Sequence, residues 1–392
     1  MAEENVTKER ISREMESSDD ANRINELPDC LLSIIISYLP TGEAARTSLL
    51  SSRWRHIWST SPLHLDDSSI CSANTSQRRR FGRGTGPSSS TCDEDRRRVQ
   101  TISRILASHR GCIDTFRLAH TCFRGRKSRV DGWFRILAEK NIQELMLHFP
   151  YVYPVKEPDI PASLLACESL RTMELVNCRF PCTTEACLNL INLHKLILDT
   201  AEVTDGALRS VLSCCTALQS LSLSHVTRLR RIHVRSQSLQ TLEVRYCEDL
   251  KELFIEDAPN LERLFGRRLA LRQWLKVISA PKLEILHYLT AQIEKLELGN
   301  TVFEMLPHIT QVSWSTPVLS LKNLTIEVNF SVHEQVKVLA GLLRCFPCLP
   351  YSANYEVSDY WEPQDTIDSL DCPLKTVTLT AYEGLVGELN FA

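Results

Sequence analysis

The side chains best able to do chemistry here are the cysteines, the histidines and one glycine-rich stretch, and each falls short of a reactive constellation. Cys345-Phe346-Pro347-Cys348 has the CxxC spacing of a metal site. A structural zinc needs about four ligands, and no second CxxC or spaced His pair stands at a fitting distance. Cys178, Cys182 and Cys187 also cluster, but Cys178 has a structural role in a repeat pattern. Gly82-Arg83-Gly84-Thr85-Gly86-Pro87 has the glycine content of a phosphate loop, yet no Gly-Lys-Ser/Thr follows it and no apolar strand precedes it. None of the 11 histidines belongs to an H-E-x-x-H motif, and no nucleophile elbow is present. The expectation is therefore no catalytic residue, no metal site, no cofactor, and a chain that is not an enzyme.

Composition narrows the class further. The chain has 392 residues, 43% apolar and 24% charged, with a formal charge of -3. That balance fits a globular protein not committed to nucleic acid or membrane. The acidic start Met-Ala-Glu-Glu-Asn has no apolar h-region, and no apolar run approaches the roughly 20 residues of a membrane span. A nuclear or cytoplasmic protein is expected, its 15 cysteines mostly free thiols. The length calls for more than one domain or a repeat array.

Along the chain, residues 1–20 are polar, aperiodic and read as a disordered tail. Residues 21–66 read as three short helices. Leu27, Leu31, Leu32, Ile35, Ile36 and Leu39 form one apolar stripe, with Pro28 in its first turn and Pro40 closing it; Thr41 is placed as the cap of a second helix, and Ser51 or Ser52 as the cap of a third carrying Trp54, Ile57 and Trp58. So small a bundle holds more apolar residues than its own core can hide, which favours a partner helix completing it. Residues 67–100, rich in Ser, Gly and Arg and holding the runs Arg78–Arg80 and Arg96–Arg98, read as a flexible linker. Nucleic-acid contact or nuclear import through these arginines is the alternative to a merely solvated segment.

From residue 101 to 345 a unit recurs: apolar, two variable, apolar, one variable, apolar. It appears at Ile113/Phe116/Leu118, Ile142/Leu145/Leu147, Leu170/Met173/Leu175, Leu193/Leu196/Leu198, Leu218/Leu221/Leu223 and Leu239/Leu242/Val244. Weaker copies stand at Leu261/Leu264, Leu283/Leu286, Ile293/Leu296/Leu298, Leu321/Leu324/Ile326 and Leu374/Val377/Leu379. Steps of mostly 21 to 29 residues match a leucine-rich-repeat array. Cys178 and Cys247 fall where such repeats bond a turn. Two steps break the period, ten residues from Leu283 to Ile293 and more than fifty from Leu321 to Leu374. Val332–Arg344 reads as a helix and Tyr351–Pro373 as a loop. Outward positions of the repeat strands are the candidate target surface: Lys195, Ile197, Glu243, Arg245, Arg263, Phe265 and His287. Phe265, between Arg263 and Arg267, is either a binding anchor or tucks beneath a neighbouring repeat.

Ile24-Asn25-Glu26-Leu27-Pro28-Asp29-Cys30-Leu31-Leu32, with Tyr38 through Trp58, resembles a plant F-box. Asp257–Leu264, Ala280–Leu286, Ile293–Gly299 and Cys372–Val377 resemble the F-box/FBD/LRR family of plants. The resemblance implies an α/β solenoid: a three-helix F-box bundle, a curved leucine-rich-repeat array, and a partial FBD-like region over 346–392, lacking the helix and strand that usually follow. It implies a non-catalytic receptor whose F-box binds a Skp-family adaptor and, through it, a cullin and a RING subunit, while the repeats hold a protein target for ubiquitination. Leu27, Pro28, Leu31, Leu32, Ile35, Leu39 and Pro40 would then pack on the adaptor, with Leu49, Trp54 and Trp58 completing bundle and interface. A repeat scaffold acting outside the ligase, touching nucleic acid through the arginine-rich linker, is the competing reading.

Overall fold

The structure, a computed structural model, describes residues 24–70, 89–119, 127–150, 158–181, 189–267, 274–290, 295–298, 301–306, 309–313, 321–327 and 376–380. The tail 1–20, the arginines and glycines at 78–87, the helix expected over Val332–Arg344, the Cys345/Cys348 pair, the loop 351–373 and all of the expected FBD-like region but 376–380 lie outside these residues. Two compact units divide the chain, Met1–Arg117 and Leu118–Ala392.

In the first unit, helices α1 (Asp29–Ser37), α2 (Thr41–Thr47) and α3 (Ser52–Thr60) form the expected bundle. Its core is Leu32, Ile36, Ala44, Trp54 and Ile57, with Leu27, Leu39 and Trp58 packed against it. Ser51 caps α3 by accepting the Trp54 N–H at 3.3 Å. Pro40, not Thr41, precedes α2. Thr41 is buried, donating to the His64 carbonyl at 2.9 Å and accepting the Asp66 N–H at 3.0 Å, so its hydroxyl ties α2 to strand β1 (Leu63–Asp66). Arg53 fixes the chain entering α1, donating to Asp29 Oδ1 at 2.8 Å, to the Leu27 carbonyl at 2.5 Å and to the Asn25 carbonyl. Trp54 Nε1 donates to Asn25 Oδ1 at 3.0 Å.

The expected linker over 67–100 is corrected at both ends. A 3-10 turn covers Asp67–Ile70, with Asp67 buried, and helix α4 runs Ser89–Ser108. Val99, Ile102 and Leu106 recur at helical spacing and are buried, and Arg98 is buried beside Asp95 at 3.4 Å. The dense arginines of its N-terminal half hide this stripe from a compositional reading. Strand β2 (Ile113–Leu118) pairs parallel with β1, so strand structure follows the bundle directly.

The second unit is built on a long parallel sheet. Its strands, in spatial order, are β3 (Glu144–His148), β4 (Thr172–Val176), β5 (Lys195–Asp199), β6 (Ser220–Ser224), β8 (Thr241–Arg245), β10 (Arg263–Arg267), β12 (Ile285–Thr290), β16 (Asn323–Glu327) and β17 (Thr376–Thr380). Strands β7 (Arg231–Arg235), β9 (Glu252–Asp257), β11 (Trp274–Val277) and β13 (Lys295–Leu298) lie parallel in a second sheet, which β14 (Thr301–Leu306) and β15 (Ile309–Ser313) extend antiparallel.

The return leg of the repeat changes with its length. Helix α5 (Lys127–Glu139), a 3-10 turn over Ala162–Ala166 and helix α6 (Asp205–Cys214) serve the early repeats. The steps from Leu221 to Leu242, Leu264 and Leu286 are 21, 22 and 22 residues. So short a unit, once its strand and two turns are made, favours an extended return, which rises about 3.3 Å per residue against 1.5 Å for a helix. Ile232, Val234, Leu253, Ile255, Leu275 and Val277 alternate inward and are buried.

This arrangement resolves the irregular steps. Ile293/Leu296/Leu298 is not a repeat strand of the long sheet: Leu296 and Leu298 belong to β13 of the second sheet, and Ile293 lies outside the described residues. Asn323 pairs with Ile285 on one side and Thr376 on the other, so the long steps insert chain between strands that remain neighbours.

Residues following four long-sheet strands share one backbone state. Asn177, Thr200, His225 and Tyr246 all have φ between 50° and 57°. The first three donate N–H groups to the next repeat, Thr200 to Ser224 O at 2.8 Å. A β-branched residue is the costliest of these in the left-handed region. Thr200→Gly should relieve that strain and raise stability by about 1 kcal/mol, about 2 °C in thermal midpoint; differential scanning calorimetry of the full chain checks it, and a lower midpoint contradicts it.

The described cysteines are free thiols. Burial pushes Cys167 up to about 11 and Cys247 up to about 11. Burial, helped by neighbouring Cys214, pushes Cys215 up to about 12. Cys247 lies near the carbonyls of Leu223 and Arg245, at 3.8 and 3.4 Å, bonding the turn as its position in the repeat suggested. Since the thiolate is the reactive form, iodoacetamide at pH 8 should label exposed Cys30 well before these three, and peptide mass mapping against time gives the order.

Candidate functional site

Two surfaces, one in each unit, carry unsatisfied recognition chemistry. On α1, the run Leu31-Leu32-Ser33-Ile34-Ile35-Ile36 puts apolar side chains on more than one face. Leu32 and Ile36, four apart, fill the bundle core. Leu31, Ile34, Ile35 and Tyr38, spaced by three and four, point to solvent, Tyr38 at 85% exposure, and Leu49 and Leu50 after α2 are 80% and 68% exposed. A helix apolar on two sides is stable in water only with something on both. Each such side chain contributes about 1.5–3 kcal/mol when fully buried.

The expected adaptor residues therefore separate. Leu31, Ile35, Leu49, Pro28 and Pro40 are exposed and available to a partner. Leu27, Leu39 and Trp58 are half-buried against the core. Leu32 is corrected to the core, because it shares the inward face of α1 with Ile36, and Trp54 completes the bundle, held by its bond to Asn25. Ile24, Ile34, Tyr38 and Leu50 are exposed members of the patch that the single-stripe reading missed. Their signal was in the sequence, as a helical run with one polar residue in six.

In the second unit, alternate residues of the long sheet face outward in three rows. One row reads Thr172, Lys195, Ser220, Thr241, Arg263, Ile285. The middle row reads Glu174, Ile197, Ser222, Glu243, Phe265, His287. The last reads Val176, Asp199, Ser224, Arg245. All seven candidate target residues, Lys195, Ile197, Glu243, Arg245, Arg263, Phe265 and His287, thus stand on one face of one sheet. Phe265 is half-buried and meets His287 edge to face, ring centroids 5.3 Å apart. Its cover is a residue of the same open face.

Charge along this face is graded. Towards β3 stand Glu144, Glu174 and Asp199, with His148 Nε2 at 2.7 Å from Glu174. Strand β6 contributes only Ser220, Ser222 and Ser224. Towards β10 stand Arg245 and Arg263. Glu243 is held by Arg245 and by Ser222 Oγ, which donates at 2.8 Å. Arg263 has a distant ion pair with its chain neighbour Glu262, 3.6 Å. Burial lowers the pKa of His287 from its ordinary value, which favours the neutral ring at pH 7.

The outer face of the second sheet, by contrast, satisfies itself. Lys276 and Lys295 both pair with Glu297, at 2.7 and 2.8 Å, and lie 5.7 and 5.1 Å from the Trp274 ring centroid. Burial raises the Glu297 pKa, but hydrogen bonds and charge from the two lysines outweigh it and hold the carboxyl below the usual carboxylate range. His233 stacks on Phe254 with centroids 4.7 Å apart and lies 2.8 Å from Glu256. Among the described residues no three His, Cys, Asp or Glu side chains gather as metal ligands, and no helix is long and apolar enough to cross a membrane.

The known proteins similar to this chain share both parts. Residues 24–66 match the F-box domain family, and residues 130–350 match the family described as "FBD-associated F-box protein At5g56370, LRR repeats". The F-box/FBD/LRR-repeat protein At1g13570 of Arabidopsis thaliana is 27% identical over 390 residues, covering 94% of this chain and 86% of that protein. The F-box/LRR-repeat protein At3g03360 of the same plant is 27% identical over 354 residues, covering 81% and 67%. The putative F-box/FBD/LRR-repeat protein At5g22610 is 28% identical over 252 residues, covering 62% and 45%. With an F-box bundle at one end and FBD-associated leucine-rich repeats over more than half its length, the chain belongs to the plant F-box/FBD/LRR-repeat family.

Proposed function

We propose that this protein is the non-catalytic, target-recognition subunit of a Skp–cullin–F-box ubiquitin ligase, working in the nucleus or cytoplasm. The observation that carries the reading is the second apolar face of α1. Leu31, Ile34, Ile35 and Tyr38 stay exposed although Leu32 and Ile36 already fill the core. The F-box match supports a Skp-family adaptor as the partner for that face, and the cullin and RING subunit follow through the adaptor. The outward rows of the long sheet hold the protein target, and the ligation chemistry belongs to the other subunits. The competing scaffold reading, with nucleic acid held by the arginine-rich segment, is weakened by the burial of Arg98 beside Asp95 in α4.

Replacing exposed and core residues separates binding from folding. Leu31→Asp with Ile35→Asp should lower affinity for a purified Skp-family adaptor by more than about a hundredfold, two hydrophobic contacts being lost, while the thermal midpoint holds. Leu32→Ala should instead destabilise the bundle by about 2–5 kcal/mol. Biolayer interferometry and thermal unfolding give the two readouts. Unchanged adaptor binding in the double variant, or no adaptor binding by the natural chain, sinks the reading.

A further inference from the structure

The chain that leads into α1 is held by a side chain of another helix. We infer that Arg53 is a positioning residue of the adaptor interface: without touching the adaptor, its guanidinium sets the path of Asn25 to Asp29 and so the pose in which Ile24, Pro28, Leu31 and Ile35 are presented. This rests on the reading that a Skp-family adaptor binds that face, and deepens it by naming what prearranges the face.

Helix α1 does little to fix its own beginning. Pro28 occupies the N-cap position, with ψ at 147° and no side-chain bond to the first turn, and a proline offers neither a capping oxygen nor an N–H. Just upstream, the Leu27 N–H reaches the Ile24 carbonyl at 3.2 Å. The carbonyls of Asn25 and Leu27 are met from α3 instead. Arg53 Nη1 donates to the Asn25 carbonyl, Nη2 to the Leu27 carbonyl at 2.5 Å, and Nε to Asp29 Oδ1 at 2.8 Å. Beside it, Trp54 Nε1 donates to Asn25 Oδ1 at 3.0 Å. One rigid, planar group thus grips a single short stretch at three points, which fixes its direction as well as its place.

The location of Arg53 points the same way. It stands in the first turn of α3, which Ser51 caps and which holds no acidic residue, and there the helix dipole disfavours a cation. The arginine therefore serves something outside its own helix. Its anchor points interleave with the residues the adaptor would meet. Ile24 and Pro28 are exposed on or beside the gripped stretch, and the N–H groups of Leu31 and Leu32 donate to the Pro28 carbonyl at 3.0 and 3.1 Å. Leu27, between two anchor points, packs against the core. A face that already holds its bound form spares the complex the ordering of these residues, and affinity falls with the fraction of molecules that hold it. A lysine is a point charge able to keep Asp29, but it lacks the fork that spans two carbonyls as well.

The test compares the natural full chain with Arg53→Gln and Arg53→Lys. Biolayer interferometry against a purified Skp-family adaptor gives affinity, and hydrogen–deuterium exchange of the free proteins gives local order. Arg53→Gln should weaken adaptor binding at least about tenfold, the competent fraction falling to about a tenth. It should also speed exchange at the Leu31 and Leu32 amides, while the Ile57 amide in α3 keeps its protection. Arg53→Lys should lie between the two in both measurements. Weaker binding with natural exchange at Leu31 and Leu32 makes Arg53 a direct contact and overturns the inference, as does full rescue by lysine. Protection lost at Ile57 as well makes Arg53 a residue of the fold only, and overturns it too. Unchanged binding by Arg53→Gln overturns the inference and leaves the adaptor reading standing, whereas a natural chain that binds no adaptor overturns both.

Discussion

Everything in the second unit depends on one repeated backbone interaction. The two N–H groups opening each strand of the long sheet converge on a single carbonyl of the repeat before. Arg171 and Thr172 bond to Gln143 O, His194 and Lys195 to Arg171 O, Gln219 and Ser220 to His194 O, and the ladder continues through Gln240 and Glu262 to Lys322 and Asn323 on Glu284 O. No repeat satisfies these groups alone, and buried backbone polar groups left unpaired are costly. The ladder therefore sets strand register, and with it which side chains meet in each outward row.

The ladder also explains what the array tolerates. Its bonds involve only the start of each strand, so the return leg is free to be a helix, a 3-10 turn or a second strand. Glu284 bonds to Lys322 as closely as Glu262 bonds to Glu284, both at 2.8 to 2.9 Å, although β13 to β15 intervene. Insertions fall where they leave the ladder intact. The open face is thereby insulated from changes behind it, and its side chains vary without cost to the core.

The two surfaces differ in physical character. The exposed face of α1 is aliphatic and aromatic, suited to continuous burial against one partner; it leaves a small bundle marginal by itself, since so short a domain gains few kcal/mol from its own core. The outward rows of the long sheet are polar, charged and half-buried, and they fit partners by charge and shape. One surface suits a constant partner and the other a particular one.

The sequence by itself determined the elements and the periodicity. Leu27 to Leu39 marked a helix, Ser51 or Ser52 marked the start of another, and the leucine spacing placed every strand of the long sheet from β3 to β17, because burial imposes a period on local sequence. Arg231-Ile232-His233-Val234-Arg235 carried the alternation of a second-sheet strand just as legibly, but alternation cannot say which sheet a strand joins. Only tertiary structure decided that Leu296 and Leu298 belong behind the long sheet and that Val99, Ile102 and Leu106 make a helix of an arginine-rich stretch. Likewise it divided the apolar residues of α1, sending Leu32 to the core and Leu31 to the surface. Such outcomes depend on what packs against a residue, and that neighbour lies far along the chain: Trp54 for Leu32, Lys276 for Glu297, and His287 for Phe265.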